Sequence, residues 1–143
     1  MAVREAALRE RVGVGLVEQP YRVKERRSPA PTNQLDAAWE AVVTPHRRRN
    51  RRGPVVCLAF PLQPPRRAGK AAAPSRLVEL EAVAVPTLVV QGTLDLFGVP
   101  HAGGQRTVVE VPGDHSLKAD LAAVSAAVQS WLAALLVSRA SKM

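Results

Sequence analysis

The chain has 143 residues, 47% of them hydrophobic, and a formal net charge of +8. That is one domain's worth of sequence, too apolar to be intrinsically disordered, and with only 3% aromatic residues its core is expected to be built from Ala, Val and Leu. A single cysteine excludes an internal disulfide framework and suits a reducing compartment. No stretch approaches about 18 uninterrupted apolar residues, and the first residues, with Arg4, Glu5, Arg9 and Glu10, lack the apolar segment of a signal peptide. The expectation is a cytoplasmic protein with no membrane span.

In chain order, residues 2–11 read as a short helix, with Glu5 four residues before Arg9 as a supporting pair. Val12 to Glu18 reads as a strand ended by Gln19-Pro20, and Tyr21 to Pro31 as a basic loop. Leu35, Ala38, Trp39, Val42 and Val43 repeat at helical spacing after a cap at Thr32 or Asn33, so an amphipathic helix is predicted there. Thr44 to Gly53 breaks the pattern: Pro45 stops the helix and Arg47, Arg48, Arg49, Arg51 and Arg52 follow with no apolar periodicity. Pro54 to Phe60 resumes as a buried strand. A proline-bearing loop and a short helix from Ser75 through Glu81 lead on to the most informative stretch.

Thr87 to Val90 is an apolar, β-branched run closed by Gly92, as expected of a strand buried on both faces of a parallel sheet. Asp95 falls just past its carboxyl end. Thr107 to Val111 is a second such run, closed by Pro112-Gly113, and His115 follows at a matching distance. Chemistry in open α/β sheets collects at the carboxyl ends of the strands, so an Asp and a His delivered there can meet. Leu121, Val124, Val128, Trp131, Leu132, Leu135 and Leu136 then mark a long closing helix with Asp120 at its positive end. The alternation of helices and strands argues an α/β layered sheet.

Gln-Gly-x-x-Asp-x-Phe-Gly from Gln91 and Pro-Gly-x-His-Ser-Leu from Pro112 resemble the last third of a small α/β-hydrolase. The chain is similar to the dienelactone-hydrolase-like group and to related domains of chromatin-complex subunits. Val14 to Val23, Leu35 to Val43 and Cys57 to Pro65 share the likeness. The resemblance implies a mostly parallel sheet with flanking helices and a serine hydrolase of the esterase or acyl-transfer type, acting on a small-molecule ester or acyl substrate. Asp95 and His115 would be the last members of a triad that runs Ser, Asp, His along the chain.

The family's Gly-x-Ser-x-Gly nucleophile elbow would fall where this chain has its arginine run, and the strand and glycine-rich loop supplying an oxyanion-hole amide would precede residue 1. Residues 1–143 therefore read as a single truncated hydrolase-like domain, with 44–53 as a basic irregular insert and the central strands missing. The remaining strands would re-pair or keep open edges. Ser28 and Ser75 precede Asp95 but lack elbow glycines, and beside proline they read as loop or cap residues. Cys57 lies inside a strand pattern and reads as a buried, inert thiol. His46 and His101 show no metal-ligand spacing with Cys57, and no cofactor motif is present. The arginine run reads first as a solvated loop; the alternative is a non-catalytic domain that binds a partner or polyanion through its basic surface. A frame-disrupted copy of a small hydrolase accounts for the abrupt break and resumption, and the other reading frames around Thr44 to Gly53 would then encode the elbow.

Overall fold

The structure is a computed structural model that describes residues 2–10, 37, 53–63, 68–69, 71–72 and 74–141. The chain divides into two compact units, one formed by Met1–Val14 with Pro54–Met143 and the other by Gly15–Gly53. Of the second, only Ala37, which is helical, and Gly53 are described. The strand expected at Val12 to Glu18, most of the helix at Leu35 to Val43 and the arginine run lie outside the described residues.

The first unit holds α1 (Ala2–Arg9), β1 (Val55–Leu58), α2 (Leu77–Glu81), β2 (Thr87–Gly92), β3 (Arg106–Val111) and α3 (Leu121–Ala140). Its strands make a three-stranded sheet in the order β1-β2-β3, parallel throughout. Val55 pairs with Thr87 and Leu58 with Val90, while Thr87 pairs with Arg106 and Gly92 with Val111. This is a small α/β arrangement. Where the described residues test them, the predicted strands fall within a few residues of the observed ones. β2 is buried throughout, as an apolar run inside a parallel sheet should be, but β1 and β3, expected to be buried as well, are the outer strands of the described sheet and are only partly buried. β2 is the central strand, and every one of its residues is buried. β1 pairs on one side only among the described residues, and its Val55 and Leu58 are 37% and 46% exposed.

Side chains alternate between the faces of a strand. Leu88 and Val90 enter the main core with Val111, Val124, Val128, Leu132, Ala6 and Ala7, while Val89 and Gln91 are buried on the opposite face of β2. The buried stripe of α3 is thus Val124, Val128 and Leu132, flanked by half-buried Trp131; Leu121 and Leu136, part of the apolar pattern that marks the helix, are exposed. Asp120 does more than sit near the helix dipole, since its Oδ1 accepts from the Ala123 amide at 2.8 Å. α1 packs its alanines against α3, where small side chains let the helices approach closely, and Gln129 Nε2 donates to Glu10 at 3.3 Å. Glu5 and Arg9 form no ion pair, so the expected helix-supporting pair is not made.

The window Leu121–Ser138 of α3 has a mean hydropathy of 1.8 and is long and apolar enough, by length and composition, to cross a membrane. Ser125, Gln129 and Ser130 interrupt its apolar run without adding charge, so the sequence has no uninterrupted apolar stretch of that length here.

Candidate functional site

Asp95 and His115 meet. His115 Nδ1 lies 2.8 Å from Asp95 Oδ2, with the carboxylate side chain completely buried and the imidazole 41% exposed. Asp95 leaves the end of β2 through a turn in which its own amide donates to Gly92 O at 3.1 Å and its carbonyl accepts from Gly98 at 3.0 Å. Inside the turn, Oδ1 accepts from the Phe97 amide at 2.9 Å, an Asp closing a turn on its own backbone. His115 is carried by the loop after β3. Thr93 N donates to Val111 O and Leu94 N to Gly113 O, each at 2.9 Å, so the two loops continue the sheet's pairing beyond the strand ends.

Glycines make that approach possible. A Cβ on Gly92 would fall 2.4 Å from Gly113 O and 2.5 Å from Asp114 O, so any side chain there would push the His115 loop away. Gly113 has φ +119, a conformation that side chains resist, and a Cβ on it would lie 2.8 Å from that of Ala119. Leu117 is held at φ +53 without being glycine. Its side chain is buried in the core, and that burial offsets a left-handed cost of about 1–2 kcal/mol.

Gln91 is the residue that fixes the chemistry. It is fully buried in an otherwise apolar strand. Its Oε1 accepts from Phe60 N at 2.9 Å and its Nε2 donates to Phe60 O at 3.0 Å, so the backbone of one residue sets which way the amide faces. The same Nε2 then reaches Asp95 Oδ2 at 2.6 Å and Gly98 O at 3.1 Å. Asp95 Oδ2 is therefore an acceptor, and its contact to His115 requires Nδ1 to be the donor. In the neutral imidazole that leaves the lone pair on Nε2. Ala59, at φ +55, turns the chain out of β1 and delivers Phe60 to this network. Gln91 was visible in the sequence only as a polar residue inside an apolar run and as a member of the resemblance motif; its role as the orienting amide was not.

The Phe97 ring lies against the imidazole, centroids 4.4 Å apart and planes 38° apart, and the same turn presents Leu94 and Leu96 to solvent at 73% and 80% exposure. His115 Nε2 has no hydrogen-bond partner among the described residues. Ser116 is adjacent, but its hydroxyl donates to Asp114 Oδ1 at 2.6 Å, and together with its amide it holds the Asp114 carboxyl below the ordinary range. Ser75 Oγ accepts from Leu77 N at 3.2 Å at the start of α2 and is not bonded to His115. Ser28 and His46 lie outside the described residues. Cys57 is half-buried, and burial pushes its thiol up, which removes the thiolate a nucleophile needs. His101 contributes its carbonyl to Arg106 Nε at 2.9 Å. Among the described residues no three His, Cys, Asp or Glu side chains are grouped to hold a metal ion.

No family model matches the chain, and no curated protein or solved structure is significantly similar to it.

Proposed function

We propose that the chain is an α/β-hydrolase-like protein of the esterase or acyl-transfer type in which Asp95 and His115 are the acid-base half of the site and the serine half is lost. The observation that supports this reading is the 2.8 Å contact between His115 Nδ1 and the fully buried Asp95 carboxylate, made by two loops at the carboxyl end of adjacent parallel strands. In such a pair the carboxylate holds the tautomer and stabilises the imidazolium, while Nε2 takes a proton from whatever hydroxyl is presented to it. The Gln-Gly-x-x-Asp-x-Phe-Gly and Pro-Gly-x-His-Ser-Leu motifs support the same reading, as they carry every residue of that contact. The substrate is a small ester or acyl compound, and the compartment is the cytoplasm.

Intact mass after treatment with a fluorophosphonate tests the serine half directly. An unmodified protein is the expected result. A stoichiometric adduct on Ser28 or Ser75 that disappears in His115→Ala would mean a working triad and would overturn the loss of the serine. For the frame-disrupted origin, the alternative reading frames around Thr44 to Gly53 are expected to encode Gly-x-Ser-x-Gly; its absence from both would remove that explanation.

A further inference from the structure

A base needs something to activate, and each described serine near the central network is engaged elsewhere: Ser116 with Asp114, and Ser75 with the first turn of α2. What faces solvent is the imidazole itself. It is 41% exposed, its Nδ1 proton is committed to a carboxylate whose acceptor role is dictated by the Gln91 amide, and its Nε2 lone pair has no partner among the described residues. We infer that His115 Nε2 is itself a nucleophile toward activated acyl compounds, aryl esters above all, with Asp95 and Gln91 as the residues that position it. The inference rests on the Asp95–His115 part of the proposed function and not on any serine.

The step balances without a further reagent. The Nε2 lone pair adds to the ester carbonyl carbon, the carbon–oxygen bond to the aryl group breaks, and the aryl oxide leaves with that electron pair. The resulting N-acylimidazolium keeps its Nδ1 proton in the hydrogen bond to Asp95. Water then adds to the acyl carbon, the carbon–nitrogen bond breaks, the imidazole recovers its lone pair, and the proton lost by the water passes through solvent to the aryl oxide. The net reaction is ester plus water giving acid plus phenol. Activated esters are specified for a physical reason. Because the step draws on no oxyanion-hole donor, it is productive only where the leaving group departs as a stable anion without that assistance. An apolar acyl or aryl group suits the surroundings, because Phe97 flanks the ring and Leu94 and Leu96 are exposed on the turn that carries Asp95.

The probe is p-nitrophenyl acetate with the full chain. Expected is p-nitrophenolate release that falls about tenfold or more in His115→Gln and is retained in a His46→Gln/His101→Gln double variant, in which His115 is the sole histidine. Acid-quenched wild-type protein is expected to carry a single hydroxylamine-labile acetyl group on His115, which distinguishes it from stable acetyl-lysine and requires no variant to fold. Asp95→Asn is expected to slow release and to shift the imidazole ¹⁵N resonances toward the tautomer protonated at Nε2, a change that loss of packing alone would not produce. An acetyl group on Ser28 or Ser75 would overturn the nucleophilic role while leaving His115 as a base. Release unaffected by His115→Gln, with no labile acetyl group, would overturn the nucleophile and the acid-base pair together.

Discussion

At Asp95, three donors converge on one buried carboxylate: the Phe97 amide on Oδ1, and Gln91 Nε2 and His115 Nδ1 on Oδ2. An asparagine offers one acceptor and one donor group, so either orientation sets its amide nitrogen against another donor. Asp95→Asn is expected to cost about 1–3 kcal/mol in urea unfolding, the penalty for a buried polar group left unpaired. Gln91→Leu is similar in outline but strands the Phe60 N–H, while the Phe60 carbonyl still accepts from the Leu62 amide at 2.9 Å, so a loss of about 1–3 kcal/mol is expected from the one unpaired buried group. Cys57 makes a different prediction. Because burial pushes its thiol up, thiolate forms in the folded protein only at a pH above that of a free cysteine. Iodoacetamide should then label the native protein more slowly than the urea-unfolded chain at the same pH, and equal rates would contradict the burial.

Among the elements, β2 and the loops that follow β2 and β3 form one device. Gly92→Ala places a methyl group within 2.4 Å of Gly113 O, a backbone atom that can yield only by moving the His115 loop. The expected cost is about 1–3 kcal/mol, the usual range for overpacking, together with loss of the His115 to Asp95 contact in imidazole NMR spectra. Leu132→Ala, in the buried stripe of α3, is expected to cost about 2–5 kcal/mol without changing that contact. The pair of measurements separates the site from the core. α2 buries Leu80 and carries the paired Arg76 and Glu79 side chains, at 2.6–2.7 Å, on its exposed face. The hydrogen bond from Arg76 lowers the Glu79 carboxyl, so whatever stability it adds is present above the unfolded carboxylate range and is lost as pH falls through the folded value. Solvent screening keeps it below about 1 kcal/mol. Glu79→Gln should therefore differ from wild type slightly at neutral pH and not at all in acid.

At the scale of the molecule, the described residues form a three-stranded parallel sheet and a long closing helix, with the candidate site at one end of the strands. The strands and the closing helix were legible in the sequence because their signals are local. Thr87 to Val90 and Thr107 to Val111 are apolar runs ended by Gly or Pro, and Asp120 precedes the long apolar helix. The bounds of the strands shifted because Gln91, Gly92 and Arg106 continue the ladder by backbone pairing, which side-chain hydropathy does not report. On α3, Leu121 and Leu136 belong to the apolar pattern that marks the helix but are exposed, because the buried face is chosen by what α1 and the sheet cover.

The sequence by itself determined that an Asp and a His each follow a strand, since strand ends are set by residues close along the chain; that the strand before His115 is only partly buried was a matter of its place at the side of the sheet. Only the tertiary structure decided that the two side chains meet at 2.8 Å, that Gln91 dictates which imidazole nitrogen keeps its lone pair, and that Gly92 is the space through which the loops approach. The Asp95–His115 and Gln91–Phe60 contacts join residues 20 and 31 positions apart, and such contacts depend on strand order, register and close packing rather than on any local preference.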